Sequence, residues 1–149
     1  MNKQDRVIIC GGGPVGMVSA LALVRQGIPV TVLESFSEPP QDPRAATVHP
    51  STLEMLDGVG LATGVIEKGL SAPAFQFRDR QTQEIVAVFD MKHLADETDF
   101  PFAVQYEQWK LVRDAIEALS EYDIADIRLN APVTAFSQDY DGVTVVTEA

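Results

Sequence analysis

The stretch from Val7 to Glu34, VIICGGGPVGMVSALALVRQGIPVTVLE, limits what this chain can become more than any other feature. It passes from an apolar strand, Arg6 to Cys10, through a glycine-rich turn into an apolar helix, Pro14 to Gln26. Gly27 then leads into a second strand, Ile28 to Leu33, which ends on an acid. Three glycines at G-x-G-x-x-G spacing can simply join a strand to a helix in any α/β protein. Set between a strand and a helix, with an acid closing the next strand, they read as a dinucleotide-binding half.

Each residue of the turn has a physical task. Gly11 lets the chain turn sharply out of the strand, Gly13 keeps a Cβ out of the way of a pyrophosphate, and Gly16 lets the helix pack close to the strand. Pro14 suits the first helical position, because its missing N–H has no intrahelical use there. The remaining free amides of the first turn and the positive end of the helix dipole then face the phosphates. Glu34 stands eighteen residues beyond Gly16. Its carboxylate can accept hydrogen bonds from ribose hydroxyls and would repel a 2′-phosphate, which favours FAD or NAD over NADP.

With 149 residues the chain has the length of one domain and enough material for a core, and 46% hydrophobic content fits a globular protein. Its net charge of −11 disfavours nucleic acid and anionic membrane surfaces, both of which require clustered Lys and Arg. The lone cysteine, Cys10, is expected to be a small buried thiol at the end of the first strand. No apolar run is long enough to span a bilayer. The amino terminus lacks the features of a signal peptide, so a cytoplasmic setting is expected.

Along the chain, helix one should be buried on nearly all sides and the strand Ile28 to Leu33 on both faces. A proline-stiffened loop, Ser35 to Ala46, carries Arg44, either a solvated surface arginine or a guanidinium reaching a pyrophosphate or ribose. A short helix, Thr52 to Asp57, is capped by Ser51 or Thr52. Ala74 to Arg78 and Ile85 to Phe89 form two strands with one wet face, and a polar loop follows from Met91 to Asp99. A short strand, Phe102 to Gln105, precedes a helix, Glu107 to Leu119, whose core stripe is Trp109, Val112, Ile116 and Leu119. Gln105 is either a ligand contact or a polar strand end. Three more strands follow, Asp126 to Leu129, Val133 to Ser137 and Val143 to Thr147, with Asp141 and Gly142 turning the last hairpin. His49 and His93 have no second ligand at metal spacing, and no catalytic triad, Walker lysine or zinc motif is present. The fold class is thus α/β, a Rossmann-like domain with a parallel sheet plus a β-hairpin or meander, and any chemistry falls to a cofactor.

GGGPVGMVSALALVRQG, VTVLE, PRAATVHPSTLEMLDGVGL, VQYEQWKLVRDAI and DGVTVV together cover nearly the whole chain. On these pieces the sequence resembles the amino-terminal part of the FAD-dependent aromatic hydroxylases, flavoprotein monooxygenases with the para-hydroxybenzoate hydroxylase fold. The resemblance implies that Gly11, Gly13, Pro14, Val15 and Gly16 hold the FAD pyrophosphate. It places Glu34, with Ser35 beside it, at the adenosine ribose and Arg44 at the ribose and phosphate region. Gln105 approaches the ribityl chain, and Val133 offers backbone groups to the adenine. It further implies NADH or NADPH as electron donor, a flavin C4a-hydroperoxide, and a phenolic ring and oxygen as substrates.

Family members are much longer. Their later Asp-Gly and Gly-Asp motifs and most of the substrate domain have no counterpart before Ala149, so residues 1–149 are expected to be the amino-terminal portion of an FAD-binding domain that is incomplete relative to the full family fold and inactive by itself. A non-catalytic nucleotide-binding module, or another flavoprotein oxidoreductase with the same amino terminus, are the competing expectations. No residue is named as catalytic acid or base, no metal is expected, and the substrate and oligomeric state stay open.

Overall fold

A computed structural model of the chain describes residues 5–41 and 45–148. Strand β1 (Val7–Cys10), helix α1 (Pro14–Arg25) and strand β2 (Val30–Leu33) come first, followed by β3 (Thr47–Val48), α2 (Pro50–Gly58) and α3 (Ala62–Lys68). Strands β4 (Leu70–Ala72), β5 (Ala74–Arg78) and β6 (Ile85–Asp90) lead through a 3-10 turn, Met91–Leu94, to β7 (Ala103–Gln105). Helix α4 (Gln108–Leu119) and strands β8 (Ala125–Arg128), β9 (Val133–Gln138) and β10 (Val143–Thr147) complete the order. Two compact units result, one of Met1–Asp42 with Gln108–Ala149, the other of Pro43–Glu107.

The first unit is built on a parallel sheet in the order β1-β2-β8, with Val7 paired to Val30 and Val30 to Ala125. Its middle strand β2 is buried at all four positions, as its β-branched run predicts. Helix α1 packs on β2 and α4 through Met17, Ala20, Leu21 and Val24. The expectation of burial on nearly all sides fails: Val15 is 81% exposed, because a sheet and one neighbouring helix cover only part of the circumference. Gly27, at φ +78°, follows the helix end as expected.

Cys10 is exposed rather than buried, which corrects the sequence expectation. Its strand is one of the two outer strands of this sheet, and Val7 and Ile8 are exposed with it. In α4 the buried side chains are Leu111, Val112, Asp114, Ala115 and Leu119, so the stripe sits partly round from the expected one. Trp109 and Ile116 are only half-buried. Lys110 Nζ and Arg113 Cζ lie 5.5 and 5.3 Å from the Trp109 ring, which gives it cationic neighbours in place of core packing.

Arg6 ties the sheet together across β2, donating from Nη1 to Asp126 Oδ2 at 3.3 Å and from Nη2 to the Ile124 carbonyl at 3.1 Å. The Asp126 carboxyl is held below its ordinary range by Arg128, whose guanidinium lies 2.7 Å away, then by the charge of Arg6 and the Thr31 hydroxyl, against the opposing effect of burial. In the hairpin of β9 and β10, the Asp139 carboxylate accepts from the N–H groups of Asp141 and Gly142 and shapes the expected turn.

The second unit contains an antiparallel sheet in the order β3-β7-β4 and a separate β5–β6 hairpin. Leu53, Leu56, Leu61, Ala62, Val65, Ala103, Val104 and Tyr106 are buried in it. Helix α2 begins at Pro50, with His49 at the cap position and no side-chain capping bond. Neither Ser51 nor Thr52 caps it, since proline at the first helical position draws both residues inside the helix. The sequence predicts neither strands β3 and β4, which at two and three residues carry no readable period, nor helix α3, which starts two residues after the Gly60 that breaks the helical pattern. The β5–β6 hairpin matches its expected bounds within one residue, and Phe77 and Phe89 stack edge to face across it at 5.6 Å.

Candidate dinucleotide site

The turn leaving β1 is set by two glycines doing different work. Gly11 has φ +108°, a backbone conformation that side chains strain, and its N–H donates to the Leu33 carbonyl at 2.8 Å. Gly16 is a close approach: a Cβ there would lie 2.0 Å from the Gly11 carbonyl oxygen and 3.3 Å from Ile9 Cγ2. The helix can start this near the strand only without a side chain.

Gly13 is different again. It is the N-cap of α1, and a Cβ built on it meets nothing within 4 Å. Open space therefore lies where a ligand would approach. Pro14 follows at the head of the helix, which has no side-chain cap, and the first helical bond closes from Met17 N–H to the Gly13 carbonyl at 3.0 Å. The amides of Val15 and Gly16 precede that bond and have no acceptor within the helix. With the dipole behind them, they suit a phosphate.

Glu34 turns its carboxylate toward the same glycines. Oε2 accepts from the Gly12 N–H at 2.5 Å, and Oε1 accepts from the Ser35 hydroxyl and the Phe36 N–H, both at 3.0 Å. Partial burial pushes the carboxyl up, but the hydrogen bonds from Phe36, Gly12 and Ser35 outweigh it and hold the group below its ordinary value of 4.5. It is thus a carboxylate at neutral pH. Its backbone is fixed by the end of β8: Glu34 N–H donates to the Arg128 carbonyl at 2.9 Å, and Ala131 N–H donates to the Glu34 carbonyl at 2.8 Å. Asn130 N–H donates to the Phe36 carbonyl at 3.2 Å. Val133 opens β9 two residues beyond Ala131, so its strand starts from the segment bonded to Glu34.

Gly12 is a site residue that sequence reasoning missed. It fills the unspecified position of the glycine pattern, yet a Cβ there would meet Met17 Cε at 2.9 Å and Glu34 Cβ at 3.0 Å. Only the folded distance between the turn and the end of β2 reveals it.

Gln105 belongs to the other unit. It ends β7, paired to Thr47 on one side and Leu70 on the other, and its Oε1 accepts the Thr47 hydroxyl at 3.1 Å. Arg44 lies outside the described residues. His49 is exposed, with its ring 6.1 Å from that of Phe75, and His93 falls in the 3-10 turn. Among the described residues no group of three or more His, Cys, Asp and Glu could hold a metal ion, and no helix is long and apolar enough to cross a membrane. The first unit therefore offers amides at the start of α1 with no acceptor in the helix, and beside them a carboxylate held by backbone hydrogen bonds.

Comparison with known proteins agrees with this chemistry. The family described as FAD binding domain matches residues 4–149. 6-Hydroxy-3-succinoylpyridine 3-monooxygenase of Pseudomonas putida (strain DSM 28022 / S16) is 36% identical over 133 residues, which are 89% of this chain and 34% of that protein. Para-nitrophenol 4-monooxygenase of Pseudomonas sp. (strain WBC-3) is 32% identical over 149 residues, 100% of this chain and 37% of that protein. The crystal structure of p-nitrophenol 4-monooxygenase from Pseudomonas putida DLL-E4 superposes with a TM-score of 0.91 at 35% identity, over 96% of this chain and 36% of that one. The chain spans little more than a third of the length of these relatives. With the match running from residue 4 to residue 149, the chain belongs to the FAD binding domain family, and the relatives and solved structure it resembles over that span are monooxygenases.

Proposed function

We propose that this chain is the FAD-binding portion of an NAD(P)H-dependent, cytoplasmic monooxygenase that hydroxylates a phenolic ring, and that it is inactive by itself. The observation that carries the proposal is the pairing of the open Gly13 amide turn with the Glu34 carboxylate bonded to Gly12. A diphosphate would take the amides of Gly13, Val15 and Gly16, with Gly11 shaping the turn and Pro14 starting the helix. The adjoining ribose hydroxyls would donate to Glu34 beside Ser35. Val133 would present backbone groups to the base, Arg44 a guanidinium to the phosphate and ribose, and Gln105 its amide to the ribityl chain. Bound FAD would supply the redox chemistry, accepting hydride from NADH or NADPH and delivering one atom of dioxygen to the ring. The protein's share in these residues is binding and orientation, and no acid or base is assigned among them.

The substrate class draws support from the relatives' names. A hydroxypyridine, a nitrophenol and, at 27% identity, a pentachlorophenol are all hydroxylated aromatic rings. The hydroxyl group common to these rings donates electron density into them and so favours attack by an electrophilic oxygen.

Binding is tested by adding FAD to the purified chain and recording its visible spectrum and fluorescence beside a parallel NAD titration. Preference for FAD is expected, and preference for NAD overturns the proposal. In a longer protein carrying this segment, phenols should stimulate NAD(P)H oxidation and yield a product heavier by one oxygen in mass spectrometry. Stimulated oxidation with no oxygenated product would make it an oxidase instead.

A further inference from the structure

Phe36 carries an apolar ring in solvent on a backbone that is tied down. Its N–H donates to Glu34 Oε1 at 3.0 Å, and its carbonyl accepts the Asn130 N–H at 3.2 Å. Ala131 N–H donates to the Glu34 carbonyl at 2.8 Å, so the segments that leave β2 and β8 are laced together at the carboxyl ends of these parallel strands. All of these residues belong to the unit that holds the glycine turn. The ring itself is 54% exposed and pairs with no other aromatic ring among the described residues.

A pinned backbone leaves only the side-chain torsions to be ordered when such a ring is covered, so it can take a flat partner at small entropic cost. What lies beside it fixes which partner. The Phe36 N–H bonds to the same carboxylate that ribose hydroxyls would reach, and a ribose bears its base on the carbon next to the 2′-hydroxyl. A base on that sugar comes within a side chain's length of Phe36. Aromatic rings stack on bases through their π-faces, whatever the pattern of donors and acceptors along the base edge.

We propose that the Phe36 ring is the stacking face for the adenine base of the bound dinucleotide. The inference rests on the FAD assignment above and adds to it a side chain that grips the base by its face, where Val133 would address it with backbone groups.

The test measures ADP and FAD affinities of the purified chain and its variants by calorimetry, with inorganic pyrophosphate as a competitor that has no base and Tm recorded for each variant. Phe36→Ala should weaken ADP and FAD alike by about five- to 150-fold, the worth of one base–aromatic stack, with pyrophosphate affinity and Tm unchanged. Phe36→Leu, apolar but without a π-face, should fall between alanine and the parent. Phe36→Trp should bind at least as tightly as the parent, and ADP should quench its indole emission beyond any quenching of Trp109 in the parent.

Parental ADP affinity in Phe36→Ala overturns the stacking role and leaves the FAD assignment standing. Equal losses for ADP and pyrophosphate with a lowered Tm make Phe36 a support of its loop and overturn the stacking role too. So does a Phe36→Trp variant that binds ADP no better than Phe36→Ala. A parent chain that binds neither FAD nor ADP overturns the functional assignment, and this inference with it.

Discussion

Two glycines three residues apart should respond to the same substitution in opposite ways, because only one of them is needed by the fold. At Gly16 an alanine Cβ would stand 2.0 Å from the Gly11 carbonyl oxygen, about 1.4 Å short of the 3.4 Å at which ordinary contact begins. The obstacle is backbone, so the helix must move off the strand. Overpacking of this kind costs about 3 kcal/mol or more. For a chain of this size that corresponds to a fall in Tm of roughly 6–12 °C. At Gly13 the backbone has φ −71°, which alanine adopts freely, and the added Cβ meets nothing within 4 Å. Gly13→Ala should leave the free chain intact or stabilise it by about 0.4–1 kcal/mol, through the unfolded state. Its cost should fall on the ligand: a methyl group between the amides and a diphosphate forfeits at least one charge-assisted hydrogen bond, about 1.5–3 kcal/mol or tenfold and more in FAD affinity. Thermal melts and FAD titrations of the two variants read both quantities. Parental FAD binding by Gly13→Ala, or a parental Tm for Gly16→Ala, would refute the division of labour.

Glu34→Ala should weaken FAD binding by about 1.5–3 kcal/mol in a fluorescence titration, the loss of a charged hydrogen bond to the ribose. Because the folded Glu34 carboxyl sits below its ordinary 4.5, its contribution to stability is present in full above that pH and is lost as the pH falls through the lowered value. The difference in Tm between the parent and Glu34→Gln should therefore be level from neutral pH down to about 4.5 and shrink below it, and a difference that grows on acidification would contradict the hydrogen bonds drawn here. Met17, fully buried on the inner face of α1, should cost about 2–5 kcal/mol when cut to alanine, seen as a lowered Tm with the secondary structure retained in circular dichroism. Cys10, exposed on the outer strand, should react with a thiol reagent in the folded chain, and reaction only after denaturant is added would return it to the interior.

The elements legible in the sequence were those with a long period or a strong local signal. The β1-turn-α1-β2 order, the β5–β6 hairpin and strand β10 came out close to their expected bounds, since strand runs, a glycine turn and a helix-ending glycine act over a few residues. Strands β3 and β4 did not, because two or three residues pair only where β7 offers them an edge. The stripe of α4 was misplaced for a related reason. Spacings of three and four fit more than one face of a helix, and the choice between Trp109 and Leu111 is made by where α1 packs. Burial of Cys10 was misjudged because position in a strand says nothing of whether that strand lies inside or at the rim of its sheet.

The sequence by itself determined the glycine spacing, the proline that opens the helix and the acid that closes the second strand, since each acts on its own backbone or a near neighbour. Only the tertiary structure decided that the Glu34 carboxylate meets the Gly12 amide, that Gly16 touches the Gly11 carbonyl while Gly13 faces open space, and that Thr47 occupies the Gln105 carbonyl. Those contacts join residues brought together by a packed helix or a paired strand, and no local pattern in the chain encodes the distance between them.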